Sequence, residues 1–245
     1  MALRPPRRLL AQAGPGDWAA IGRRWAHHLQ DWADLGPHSH LLDVGCGPGR
    51  VALGLLDVIG PELRYDGFDV KRRTIRWCRR HIESAWPNAR FRRVDLRNGT
   101  YNPRGRIDPD TVRFPYGDRT FDVVYLGSVF THLLPTTVRH YLDEIARVLV
   151  PGGRCVATFF LMNEISRRAT PTQPEIWFDH RGPEGTMLWK PERPEAAIAY
   201  EEDDVRAACA ASGLRVIEPI RFGTWSGAVE HGASPQLQDT VVAER

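Results

Sequence analysis

In the stretch LLDVGCGPGR, residues 41–50, the acid Asp43 is followed at alternate positions by Gly45, Gly47 and Gly49. Glycines so spaced permit a tight turn and let a ligand approach bare backbone, and the amides at a following helix start favour negative charge. A triphosphate-binding loop would end in Gly-Lys-Ser/Thr, and Arg50-Val51 follows the last glycine here, which excludes it. A dinucleotide turn is spaced GxGxxG rather than GxGxG, and a carboxylate at Asp43 would be misplaced against a pyrophosphate. A nicotinamide-dependent oxidoreductase therefore stays open only as a weakened alternative. Asp69 closes the segment YDGFDV 20 residues beyond Gly49, where an acid accepts hydrogen bonds from ribose hydroxyls, a device that dinucleotide enzymes share. Cys46, Cys78, Cys155 and Cys209 are scattered and form no Cys/His cluster, so no metal site is expected and four reduced thiols are.

The elements that must carry these residues alternate from residue 39 onward. HLLDV reads as a buried strand, GRVALGLLDVI as a helix, RYDGFDV as a second strand, residues 71–84 as a helix and ARFRRVD as a third strand. FDVVYLGS, TTVRHYLDEIARVL and GRCVATFFL give a fourth strand, a helix and a fifth strand, and EEDDVRAACAASG is a helix with an acidic first turn. LRVIEPIRF and QDTVVAE close the chain as strands joined by a segment too short for a crossover helix, so the last strand is expected to be antiparallel. The pattern predicts an α/β chain, a doubly wound Rossmann-like seven-stranded sheet whose ligands sit beyond the carboxyl ends of the strands. Ahead of it, residues 16–37 place Trp18, Ile21, Trp25, Leu29 and Trp32 on one helical face, with Gly36 as a stop. Residues 1–15 read as a flexible arm, residues 16–245 as one domain, and the Pro-rich 162–199 as a lid or substrate-shaping insertion.

Together these motifs resemble the class I S-adenosylmethionine-dependent methyltransferases, whose first motif is an acid, one apolar residue, then GxGxG, as in DVGCGPG. FPYGDRTFDVVYLGSVFTHL is similar to that family's fourth-strand segment and IARVLVPGGR to its link into the fifth strand. The resemblance implies S-adenosyl-L-methionine as cofactor and S-adenosyl-L-homocysteine as product. It implies that Asp43 holds the ammonium group while the turn of Gly45, Cys46, Gly47 and Gly49 lies against the methionine part. Asp69 with Val70 would meet the ribose, Asp95 with the backbone of Leu96 the adenine, and Gly127 and Ser128 would border the site from the end of the fourth strand. His132, just beyond that strand, becomes the candidate general base, with a loop-orienting role as its rival.

The expected function is methyl transfer to a small-molecule acceptor, on oxygen rather than nitrogen. The alternatives are an RNA or phosphate-bearing substrate, or a non-catalytic cofactor-binding scaffold. Residues 71–106 hold 12 basic residues against Glu83 and Asp95 in a chain of net charge +3. Ile75, Cys78 and Ile82 nevertheless share one helical face while Arg72, Arg73, Arg76 and Arg80 lie elsewhere, as on a solvated surface, so nucleic acid is disfavoured as a partner. Asn163 and Glu164 are read as a polar surface turn, Trp225 as a packed tryptophan, and Trp18 and Ile21 as packing or a cofactor lid. No apolar run approaches the ~18 residues of a membrane span and the opening lacks a persuasive signal peptide, so a cytoplasmic protein is expected.

Overall fold

A computed structural model describes residues 3–10, 16–169, 176–228 and 236–245. Parts of the expected arm (1–2 and 11–15) and of the expected insertion (170–175) lie outside these residues. Of the arm, residues 7–10 form a short helix, α1 (Arg7–Leu10), that buries Leu9.

Helix α2 (Trp18–Ala33) starts where the Asp17 carboxylate accepts hydrogen bonds from the amides of Ala19 and Ala20. It stops at Asp34, which adopts a left-handed conformation at φ 52°, two residues before the expected Gly36. Its buried face of Trp25, Ala26 and Leu29 packs over helix α3 (Arg50–Val58). The crossing is close because Gly22 and Gly54 meet there; a methyl group on Gly54 would run into the Gly22 carbonyl.

Strands β1 (His40–Val44), β2 (Arg64–Asp69), β3 (Ala89–Arg93), β4 (Phe121–Leu126), β5 (Leu149–Phe159), β10 (Arg215–Arg221) and β11 (Asp239–Glu244) form the seven-stranded sheet in the order β10-β11-β5-β4-β1-β2-β3. The pairs among β1 to β5 are parallel, and β11 runs antiparallel to both β5 and β10, between which it lies. Helix α4 (Arg72–Cys78) continues into a π-helical turn (Arg79–Glu83). Helices α5 (Pro135–Val148) and α7 (Glu202–Ala211) complete the layers. All five residues of β1 are buried, and its successive side chains serve opposite faces. Leu41 joins the core of Trp25, Leu55 and Tyr65, while Leu42 joins that of Phe130, Tyr141 and Ile145.

The described part of 162–199 is not a bare loop. Four short strands, β6 (Leu161–Met162), β7 (His180–Arg181), β8 (Met187–Leu188) and β9 (Ile198–Glu201), form a second sheet in the order β6-β9-β8-β7. Phe160, Phe178, Ala199 and Trp225 supply a small core of their own beside it. Trp225 donates through its indole nitrogen to the buried Asp239 carboxylate at 2.7 Å, which also accepts from the amides of Leu161 and Gly223. Asn163 and Ser166 form a capping box at the start of α6 (Glu164–Arg168), where Glu164 pairs with Arg168.

Candidate functional site

Strand order reverses between β1 and β4, and the crevice opened there by the carboxyl ends of the strands is where doubly wound sheets bind ligands. A cleft of about 370 Å³ occupies that place.

Its floor is the glycine turn. Gly45, Gly47 and Gly49 all have positive φ (76°, 52° and 76°), which side chains resist. The three glycines do different things. A Cβ on Gly45 would lie 2.6 Å from Val129, whereas at Gly47 the space is open and only the backbone conformation demands glycine. Gly49 is outside the cleft lining; a methyl group there would strike Ile82, so the third glycine seats α3 against the π-helical turn. The turn is tied to β2: the amides of Gly45 and Cys46 donate to the Phe68 carbonyl at 2.8 and 3.0 Å.

Asp43 and Asp69 both line the cleft. The Asp69 carboxylate accepts from the amides of Gly47 (3.0 Å) and Lys71 (2.8 Å), and burial still pushes its pKa up. Asp43 is 2% exposed and accepts from the Tyr65 hydroxyl at 2.7 Å. Burial raises its carboxyl to about 7; Tyr65 and Arg50 oppose that rise and the nearby charge of Asp69 adds to it. A buried acid in this condition is a receptor for a cation, because a positive group entering the cleft restores its charged form.

Cys46, Val70, Leu96, Gly127 and Ser128 line the same cleft. Ser128 sits at φ 57°, its amide donating to Thr158 and its hydroxyl to Gln238, which pins the end of β4 to β5 and to the residue before β11. Asp95 is placed differently. Its carboxylate accepts from Arg93 (2.6 Å), Asn102 (3.0 Å) and Arg106 (3.3 Å), and it is not among the lining residues.

His132 ends the 3-10 turn Phe130–His132 and lines the cleft, half-buried. Nδ1 lies 3.0 Å from the Glu195 carbonyl, which only accepts, so Nδ1 carries the proton and Nε2 accepts from the Tyr101 hydroxyl at 3.1 Å. Burial holds the imidazole below the usual histidine range, and likewise raises the Tyr101 hydroxyl. Lys71 Nζ stands 4.5 Å from the centre of the Tyr101 ring. Asn98 organises this corner. Its side-chain nitrogen donates to the His132 carbonyl and the Glu195 carboxylate, and its side-chain oxygen accepts from the amides of Thr100 and Tyr101. The Glu195 carboxylate also accepts from the Gly99 amide.

Sequence reasoning did not reach Tyr101, Asn98, Lys71 or Glu195. The one available signal was Asn98 in RNGTYN, a side chain suited to capture amides two and three residues on. The lining also includes the apolar side chains of Phe160, Ile176, Trp189 and Leu237. Trp225 backs Phe160 at 5.5 Å between ring centres without lining the cleft, and Trp18, Ile21, Asn163 and Glu164 are also outside it.

Residues 41–153 match a family model described as a methyltransferase domain. The demethylmenaquinone methyltransferase of Symbiobacterium thermophilum is 27% identical over 141 residues, which cover 58% of this chain and 49% of that protein. The 2-phytyl-1,4-naphtoquinone methyltransferase of a Nostoc species is 23% identical over 146 residues, 59% of this chain and 57% of that one. The chain thus spans about half the length of the curated relatives it matches. Among solved structures, a SAM-bound amino pentose methyltransferase from Micromonospora echinaspora superposes with a TM-score of 0.61 at 18% identity over 99% of this chain and 98% of that one, a likeness of fold. The acid-led glycine turn, the strand order and this match make the chain similar, through residues 41–153, to the class I S-adenosylmethionine-dependent methyltransferases.

Proposed function

We propose that this chain transfers a methyl group from S-adenosyl-L-methionine to a small ring-bearing acceptor, on oxygen rather than nitrogen, and releases S-adenosyl-L-homocysteine. The observation that carries the reading is the coexistence, in one cleft, of a cation-seeking buried acid on a glycine turn, a neutral Tyr101–His132 pair and the apolar side chains of Phe160, Trp189 and Leu237.

The cofactor supplies, when bound, a methyl group already activated by its sulfonium. Asp43 meets the ammonium of its amino-acid tail, and Asp69, with acceptor capacity left on each oxygen, takes the ribose hydroxyls. Phe160, Trp189 and Leu237 hold a flat acceptor by apolar contact and exclude water from the reacting centre. Relatives whose names carry a naphthoquinone or menaquinone ring support an acceptor of that shape. As the acceptor hydroxyl loses its proton, the Tyr101 oxygen takes it while passing its own proton to Nε2 of His132; the Glu195 carbonyl, bonded to Nδ1, steadies the resulting imidazolium. The described part of 162–199 closes the acceptor side, which gives the insertion its role. Four buried free thiols suit the cytoplasm as the place of reaction. Among the described residues no helix is long and apolar enough to cross a membrane.

Calorimetry with S-adenosylmethionine on the wild type and on Asp43→Asn, followed by mass spectrometry of a panel of phenols, naphthohydroquinones and amines, tests this reading. Binding that Asp43→Asn weakens, with methylated phenolic product, is the expected result. Binding without product from any class points to the scaffold alternative, and no binding removes the assignment.

A further inference from the structure

On α4 and the π-helical turn that continues it, Ile75, Cys78 and Ile82 are buried, and the neighbouring face carries Arg73, Arg76 and Arg80, all exposed. These three arginines line a groove of about 410 Å³, apart from the cleft, whose other walls are Trp77, His81 and the N-terminal segment at Pro6, Arg8 and Leu9. Among the described residues, no acidic one lines it.

Several arginines elsewhere among the described residues are matched with carboxylates. Arg147 bridges Glu144 and Asp118, Arg154 bridges Asp34 and Glu244, and Arg206 bridges Glu202 and Glu218. Arg73, Arg76 and Arg80 make no side-chain ion pair or hydrogen bond with any described residue. Like charges three and four positions apart on one helix face repel, so the groove carries an electrostatic cost that an anion removes. From Arg73 to Arg80 the helix rises about 10 Å, more than one phosphate spans. Guanidinium groups grip phosphate oxygens in pairs, and three of them match two adjacent phosphates better than one.

We propose that this groove binds a ligand presenting two neighbouring phosphate groups, gripped by Arg73, Arg76 and Arg80 beside the indole of Trp77. A free diphosphate ester and consecutive phosphates of a nucleic-acid strand share that chemistry. The inference is independent of methyl transfer, since the groove and the cleft have no lining residue in common.

The test is calorimetry on the full chain with saturating S-adenosylhomocysteine present, so that nucleosides do not enter the cleft, titrating pyrophosphate, ADP, adenosine and a uridine octanucleotide at low and at physiological ionic strength. Saturable binding of pyrophosphate and ADP, none of adenosine, weakening with salt, and at least a tenfold loss in the Arg73→Ala/Arg76→Ala/Arg80→Ala variant is the expected result. An octanucleotide that outbinds ADP assigns the groove to a strand, and equal or weaker binding assigns it to a free diphosphate. Thermal melting checks that the triple variant folds, and the corresponding triple lysine variant, which keeps the charge, retains salt-sensitive binding. Absence of saturable binding by every phosphate probe at millimolar concentration, or alanine and wild-type proteins that bind alike, overturns the proposal.

Discussion

The imidazole of His132 meets the backbone of Glu195, Nδ1 to carbonyl oxygen at 3.0 Å, so a loop residue after β4 is oriented by a segment 63 positions later in the chain. That bond fixes which ring nitrogen is free to accept a proton, and Tyr101 occupies it.

Removing either partner of the pair should therefore slow transfer to a hydroxyl acceptor without loosening the cofactor. Tyr101→Phe and His132→Ala are each expected to lower kcat by about 100-fold or more, the range of general-base assistance. Cofactor affinity by calorimetry should stay within about threefold, under ~0.7 kcal/mol. A His132→Ala enzyme that keeps its rate within that margin would show the histidine to be a loop-orienting residue only.

Asp43 sets a pH dependence whose direction is determined. Its folded pKa, about 7, is above the ordinary value of 3.8, so between those values the folded chain holds a proton that the unfolded chain has released. This group's contribution to stability without ligand therefore declines as pH rises from about 4 to about 7, and Asp43→Asn removes that decline. With Asp43 holding the cofactor's ammonium as proposed, cofactor affinity should run the other way, strengthening as pH rises to about 7 where the carboxylate forms. It should then weaken above about 8, where an α-amino group gives up its proton. Calorimetric titrations across this range, with the Asn variant as a flat reference on the acid side, measure both limbs.

The close crossing of α2 and α3 should tolerate no added methyl group. Gly54→Ala is expected to cost about 1–3 kcal/mol by forcing the helices apart. Thermal melting should read this as a fall of several degrees, at ~2–4 °C per kcal/mol for a chain of this size.

Asp239→Ala should be more damaging, because the Leu161 amide, the Gly223 amide and the Trp225 indole then lose their shared acceptor inside a buried site. With each stranded donor worth ~1–3 kcal/mol, a loss of at least about 3 kcal/mol is expected in denaturant titration. Since Trp225 backs the cleft-lining Phe160, proposed above to hold the acceptor, KM for acceptor should rise in any variant molecules that remain folded.

Much of the frame was legible because it is written in short-range pattern. HLLDV and FDVVYL are short, mostly apolar runs of the kind that strands buried on both faces carry, the helices between strands bury residues at helical spacing, and Asp43 is specified by its distance from three glycines. What resisted reading depends on partners far off in sequence. Nothing local in QDTVVAE says that it lies between β5 and β10 rather than at an edge. The helix 71–84 was visible, but not its π-helical turn. A strand-end position locates Asp95 but not the partners of its carboxylate, which Arg93, Asn102 and Arg106 engage outside the cleft lining. Tyr101, Asn98 and Glu195 come together through loops and a small sheet whose strands are as short as two residues, below the length at which periodicity carries information.

Because β11 is flanked on both sides by strands made before it, the ribosome delivers β5 and β10 while the place between them is still vacant. Until that gap fills, the β5 border offers unpaired amides and carbonyls to any passing extended peptide. A nascent chain stalled ahead of residue 239 should accordingly be a chaperone client, sticky along one margin of an otherwise assembled sheet.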